Sequence, residues 1–160
     1  MIVEPVCRPA RPEDYEAVYR LWMDSGGIGV TSLEDSKEYF ERFLQRNQAT
    51  CFTAEADGRP VGIILCGNDG RSGHIYHLIV DPAFRGRGLA RRLLQLSLEA
   101  LRADGIGGAD AVVFRENPAN DFWEQEGFRD RPDLTYRDIP LKQDNVWMNR
   151  SKRPGDYPKL

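Results

Sequence analysis

Residues 74–92, reading HIYHLIVDPAFRGRGLARR, constrain the fold more than any other stretch of the chain. The apolar run from His74 to Val80 reads as a strand. Asp81-Pro82 stops it, because proline cannot donate to a ladder. A basic loop with two glycines follows, and a leucine-rich helix opens from it. A strand, a tight loop and a helix start aim unpaired backbone N–H groups and a positive helix end at one point. That point suits a phosphate or pyrophosphate. Gly86 and Gly88 remove side chains that would hold a phosphate off the backbone. Arg85, Arg87, Arg91 and Arg92 add positive charge around it.

The rest of the composition narrows the ligand. The net charge of −3 leaves no global footprint for nucleic acid, so the arginines form a local feature on a mildly acidic body. A small anionic ligand suits them better than a polyanion. With 160 residues and 41% hydrophobic content, one domain with a real core is expected. That domain should span residues 1–141, followed by a polar tail over 142–160. No apolar run approaches the ~18 residues of a membrane helix. The N-terminus lacks the charged-then-apolar layout of a signal peptide. Cys7, Cys51 and Cys66 are odd in number and widely spaced, which reads as buried thiols in a reducing compartment. A cytoplasmic protein is expected. His74 and His77 fall on opposite faces of a regular strand and no third ligand has suitable spacing, so no metal is expected.

Periodicity supplies the remaining elements. Residues 4–8 read as a first strand, with prolines suggesting an edge. Arg11-Pro12-Glu13-Asp14 opens a helix carrying Tyr15, Val18, Leu21 and Trp22 at helical spacing. A second helix is expected from Ser32-x-x-Asp35, a capping-box pattern, to about Arg46. Thr50–Ala56 and Pro60–Gly67 form a hairpin about Asp57-Gly58. The strand His74–Val80 leads to a helix over about Gly88–Ala103, with Arg91, Gln95, Glu99 and Arg102 as its polar stripe. Ala111–Phe114 is a strand. Asn117-Pro118 is a helix entry, and Gly127 ends that helix. Further strands are expected from Phe128 and over Leu134–Leu141. The order is β-α-α-β-β-β-α-β-α-β-β: an α+β fold, with a mixed, mostly antiparallel sheet and helices on both faces.

Arg85 to Ala90 does not end in the Gly-Lys-Ser/Thr of a Walker loop. Arg91 stands where a dinucleotide fingerprint has its third glycine. The segment R-G-R-G-L-A instead resembles the Q/R-x-x-G-x-G/A loop of the GNAT superfamily of N-acyltransferases. Leu78-Ile79-Val80-Asp81-Pro82 before it and Ala90-x-x-Leu93-Leu94 after it match the same superfamily. Asn117-x-x-Asn120-x-Phe122-Trp123-x-x-x-Gly127-Phe128 looks like its N-x-x-A-x-x-F-Y-x-x-x-G-F pattern. The likeness in element order runs from Ala10 to about Leu141.

The resemblance implies an acetyl-CoA-dependent transfer to a primary amine by direct attack, with acetyl-CoA as cosubstrate. By resemblance, Arg85, Gly86, Arg87, Gly88, Leu89 and Ala90 hold the pyrophosphate. Leu78, Ile79 and Val80 lend backbone groups to the pantetheine arm, with an N–H near Ile79 or Val80 facing the thioester carbonyl. Asn117, Phe122 and Trp123 flank the same cleft. Many relatives carry a glutamate six residues before the end of the fourth strand as base, and that position is His74. Some relatives acting on arylalkylamines have histidines there and two residues later, which makes His74 and Tyr76 the catalytic pair. Imidazole ordinarily titrates between pH 5 and 8, which suits removing an ammonium proton. Trp123 departs from the pattern, because many relatives place there a tyrosine that protonates the leaving sulfur. The thiolate then leaves unassisted, or Tyr76, Tyr136 or water serves. Asn120 stands where relatives have a small residue. The expected partner is a small-molecule amine or a protein N-terminus. Homodimers are common in the superfamily, although no residue pattern here encodes one. The alternative function is a non-catalytic acyl-CoA-binding module.

Overall fold

The computed structural model describes residues 3–148. Five strands, β1 (Val6–Pro9), β2 (Phe52–Ala56), β3 (Arg59–Asn68), β4 (Gly73–Val80) and β5 (Ala109–Ala111), lie side by side in sequence order. The first four pair antiparallel, and β4 pairs with β5 in parallel. The helices are α1 (Tyr15–Ser25), α2 (Lys37–Arg46), α3 (Leu89–Ala103) and α4 (Asn120–Gln125). The expected α+β architecture is the one formed.

The central strand β3 is buried on both faces, so its apolar run serves two cores. On one face α3 presents Leu89, Leu93, Leu94 and Leu101 to Ile64, Cys66, Ile75 and Val80. Arg91, Gln95, Glu99 and Arg102 remain exposed, the polar stripe that its periodicity demands. On the other face α1 and α2 bury Val18, Trp22, Phe40 and Leu44 against Ile63, Leu65 and Ile79. Truncating a fully buried leucine such as Leu93 to alanine costs about 2–5 kcal/mol through lost transfer and the cavity left behind.

Several expectations need correction. Helix α2 begins at Lys37, with Ser36 as its N-cap, and not at Ser32. The Asp35 carboxylate is engaged elsewhere: it accepts the Thr31 N–H at 2.7 Å and meets His77. Helix α4 begins at Asn120, because Asn117 closes a turn, its Oδ1 accepting the Ala119 N–H at 2.9 Å. The strands expected from Phe128 and over Leu134–Leu141 do not form. Pro132 and Pro140 remove ladder donors, and Leu134, Tyr136, Ile139 and Leu141 stay exposed. The β5 pairing also lies earlier than expected, at Ala109–Ala111.

The first part of the polar tail runs back over the loop between α1 and α2. Ser32 donates its N–H to Val146 O, and Met148 donates to Val30 O, both at 2.8 Å. Thr31 and Trp147 form the bridge between these two segments.

Candidate active site

The cleft originates in a bulge. Ile63 pairs with Ile79 but Leu65 pairs with Tyr76, so β4 carries one residue more than β3 over this stretch. The extra residue is accommodated at His77, whose φ is +28°. On the other side β4 pairs with β5 only over Gly73–Ile75. Beyond Ile75 the edge of β4 that faces β5 is open.

Hydrogen-bonded and non-bonded pairs alternate in an antiparallel ladder. Asp81 donates its N–H to Val61 O at 2.8 Å, so the Ile79–Ile63 pair is a bonded one and the Val80–Gly62 pair is not. The N–H and C=O of Val80 therefore turn away from β3, into the gap, and by the same alternation so do those of Leu78. This corrects the expectation for Ile79, whose backbone groups face β3. The Val80 carbonyl accepts Arg85 Nε at 3.1 Å, and its N–H points into the cleft.

At the end of β4 the Asp81 carboxylate accepts the Ala83 N–H at 2.9 Å and holds a short 3-10 turn, Pro82–Phe84. Arg85, Gly86, Arg87 and Gly88 then run exposed to Gly88, the N-cap of α3, with Leu89 buried behind them. Gly86 and Gly88 have φ of +74° and +76°, where any L side chain is strained. A Cβ at either would meet no protein atom within 4 Å, so the space above the loop is open to a ligand. The N–H groups of the first turn of α3 open onto that space. Of the four arginines, Arg91 is committed to Glu126 of the α4 C-terminal turn at 2.5 Å, and Arg87 lies over the Phe84 ring.

Phe122 and Trp123 pack on the α3 side of the sheet. The Trp123 ring meets Phe128 edge-on at 4.9 Å. Asn117 does not reach β4: its Nδ2 donates to Gly27 O at 3.0 Å and ties the β5–α4 loop to the loop after α1.

The two histidines occupy different environments. His74 lies where β4 and β5 are still joined, and its Nδ1 is 3.0 Å from the Asp110 carboxylate. Tyr76 is half exposed and packs edge-on against Phe43. Burial first, then Asp110, Tyr136 and Glu34, hold its hydroxyl above the ordinary phenol value. His77 was expected on the face opposite Tyr76. The bulge turns it to the same face, where it stacks 4.7 Å from Trp22 and hydrogen-bonds Asp35. Asp35 is buried and also accepts from Thr31. Sequence reasoning missed both carboxylates, Asp110 and Asp35. A positive φ at a bulge leaves no mark in the hydrophobic pattern, and neither carboxylate is near its histidine in sequence. No three or more His, Cys, Asp or Glu side chains converge in a metal-binding group among the described residues.

An open β4 edge beside a glycine-bearing helix start has the shape and donors that suit a chain-like ligand ending in phosphates. Residues 15–128 match the model of the acetyltransferase (GNAT) family. The chain belongs to that family. An acetyltransferase of Pectobacterium atrosepticum is 34% identical over 109 residues, covering 68% of this chain and 76% of its own. The fold is also that of Ard1 from Thermoplasma volcanium, with TM-score 0.68 at 20% identity over 78% of this chain and 82% of that one. A Mycobacterium tuberculosis protein solved in complex with CoA is similar with TM-score 0.62 at 24% identity, over 77% of this chain and 70% of that one. As a GNAT acetyltransferase this chain is an acetyl-CoA-dependent acyltransferase. The edge of β4 beyond Ile75 is not paired with β5 and the loop space at Gly86 and Gly88 is unfilled, which leaves room for that cosubstrate.

Proposed function

We propose that the protein transfers an acetyl group from acetyl-CoA to a primary amine by direct attack of the amine on the thioester. The observation that carries this reading is the opening of β4 from β5 beyond Ile75. It exposes two backbone N–H groups in line with the Arg85–Ala90 loop. Val80 and Leu78 hold the pantetheine arm from the gap side, and one of their N–H groups receives the negative charge that grows on the thioester oxygen. Removing such a donor typically costs 10²–10³ in rate. Arg85, Gly86, Arg87, Gly88, Leu89 and Ala90 receive the pyrophosphate at the start of α3. Phe122 and Trp123 close the α3 side of the cleft.

His74 takes the proton from the ammonium, directly or through water. A lysine-like amine is about 4–5 kcal/mol away from its neutral form at pH 7, and a positioned base contributes roughly 10²–10⁴. Asp110 orients the imidazole through Nδ1 and leaves Nε2 for the amine. Tyr76 lines the approach two residues further along β4. Cys51 and Cys66 take no covalent part: burial pushes both thiols up to about 12. Trp123 has no acid proton for the sulfur, so the thiolate leaves unassisted. For a thiol titrating near 8.5 that costs about 2 kcal/mol at pH 7.

The test is release of free thiol from acetyl-CoA with and without a primary amine, with mass analysis of the amine. Amine-dependent release and a 42 Da gain, about one acetyl in place of one hydrogen by elementary stoichiometry, are expected. Thiol release that does not depend on an amine contradicts the reading. In the His74→Ala variant the acidic limb of the pH–rate profile should disappear; an unchanged profile would sink the assignment of the base.

A further inference from the structure

We infer that residues 144–148 are a strap that holds the α1–α2 loop in its working shape, and that Trp147, seated on Gly29, is a positioning residue for the amine. The inference rests on the transferase reading above and adds the segment that sets amine affinity.

The loop is costly to order by itself. Gly26, Gly27 and Gly29 fall within four positions, and Gly26 and Gly27 have φ of +66° and +77°. Glycine gives up more conformational freedom on ordering than any other residue. Two ties join the loop to the strands that flank the cleft. Gly27 O accepts Asn117 Nδ2 from the β5–α4 loop at 3.0 Å. The Thr31 N–H is donated to Asp35, which meets His77 at the β4 bulge. The loop therefore runs from the β5 side of the gap to the β4 side. In the reading above the cosubstrate takes the α3 side of the sheet, so the amine is left the opposite face. His74 and Tyr76 share that face by alternation, with Tyr76 packed on Phe43 of α2. The loop lies along the way in.

The strap supplies the support. Ser32 donates its N–H to Val146 O and Met148 donates to Val30 O, both at 2.8 Å, on either side of the Thr31–Trp147 bridge. This is a short antiparallel ladder. The Ser32 hydroxyl donates to Asp144 O at 2.8 Å and accepts the Val146 N–H at 3.0 Å. Asn145 Oδ1 accepts the Leu33 N–H at 3.3 Å.

Gly29 marks the seat of Trp147. Its φ lies outside the left-handed region, so the backbone there does not require glycine. The space does: an added Cβ would overlap the indole of Trp147 and come 3.2 Å from the Phe114 ring. Glycine at this position lets the indole lie directly on the loop backbone. The contact falls between the two tied positions, Gly27 and Thr31, and through it Trp147 acts on the shape of the loop.

The test measures kcat and KM for the amine at saturating acetyl-CoA, and KM for acetyl-CoA. It uses the full chain and its Gly29→Ala, Trp147→Ala, Trp147→Phe and Gly29→Ala/Trp147→Ala variants. The amine is whichever of ethanolamine, spermidine, 2-phenylethylamine and trialanine the wild-type chain turns over fastest. Gly29→Ala and Trp147→Ala should each raise the amine KM by about 10-fold or more, the scale of a displaced positioning element. kcat and the acetyl-CoA KM should stay within about twofold, as for a loss confined to amine binding. Trp147→Phe keeps a ring on Gly29 and should keep the amine KM close to wild type. The double variant should lose no more than Trp147→Ala alone, because the added methyl group no longer meets an indole. An amine KM near wild type in both single variants, an equal rise in the acetyl-CoA KM, or losses that multiply in the double variant would overturn the inference and leave the transferase reading standing. Absence of amine-dependent thiol release in the wild-type chain overturns the transferase reading, and the inference with it.

Discussion

The two faces of the sheet are built on different logic. The α3 face is local: β4, its terminal turn, the glycine-bearing loop and α3 are consecutive in the chain, and together they make the side proposed above to hold the cosubstrate. The α1/α2 face is assembled from afar. His77 meets Asp35 from 42 positions away, and Ser32 meets Asp144 from 112 away. A site needing one invariant ligand is well served by a contiguous loop with fixed geometry. A site that must vary with the amine is better made of separate segments, each changeable without disturbing the others.

The largest expected effect separates the two faces directly. Gly88→Val puts a β-branched residue at φ of +76°, into space that no protein atom fills. Backbone strain of about 1–3 kcal/mol is expected, and the thermal shift produced by acetyl-CoA should be lost. In the free protein the α1/α2 face should be untouched, as seen in its amide exchange. A retained acetyl-CoA shift would remove the loop from the cosubstrate site.

His77→Ala acts on the other face. It leaves Asp35 buried without its imidazole partner, at a cost of about 3 kcal/mol. For a chain of this size that is roughly 6–12 °C of Tm. Acetyl-CoA should still stabilise the variant by its usual increment. Near-wild-type melting would mean that the pair does not hold the bulge to the α1–α2 loop.

Asp14→Asn tests the anchoring of the same face at its edge. The buried Asp14 carboxylate accepts two bonds from Arg8, at 2.7 and 2.9 Å, and one each from the Arg11 N–H and the Thr53 hydroxyl. Burial alone would raise its pKa, but Arg8 and the other donors outweigh it and hold it below the ordinary carboxyl value. A depressed native pKa gives stability that is complete above the unfolded value of about 3.9 and is lost as pH falls through the lower native value. The variant should therefore lose about 2 kcal/mol at pH 7, and the difference from wild type should shrink in strong acid. A difference that stays constant from pH 7 down to pH 2 would contradict this coupling.

Trp123→Tyr should have the smallest effect. The ring at this position is packed against Phe122 and Phe128, and unassisted thiolate departure needs no hydroxyl. A change in kcat within about twofold is expected, below 0.5 kcal/mol in barrier. A clear rise would mean that the sulfur lacks a proton donor in the wild type.

The same local-versus-assembled distinction explains what could be read from residue order. The α3 face was legible: the strand, the Asp81-Pro82 stop, the loop and the polar stripe of α3 follow from short-range pattern and turn chemistry. His74 and Tyr76 were placed correctly on one face, because β4 is regular up to that point. Period-two counting failed at His77, where the bulge adds a residue, and it misassigned the backbone of Ile79 for want of the pairing partner. Asp35 looked like part of a helix cap because its true partners, Thr31 and His77, require the tertiary fold. Leu134 to Leu141 alternates enough to suggest a strand, yet Pro140 interrupts it and the segment joins no ladder with the described strands.

The most direct measurement is amide hydrogen exchange, residue by residue, with and without acetyl-CoA. Ile79 donates within the β3–β4 ladder and should exchange slowly in both states. Leu78 and Val80 face the gap beside β5; their amides should exchange quickly in the free protein and become protected when acetyl-CoA is added. Unchanged exchange at Leu78 and Val80 in the saturated protein would contradict the placement of the cosubstrate between β4 and β5.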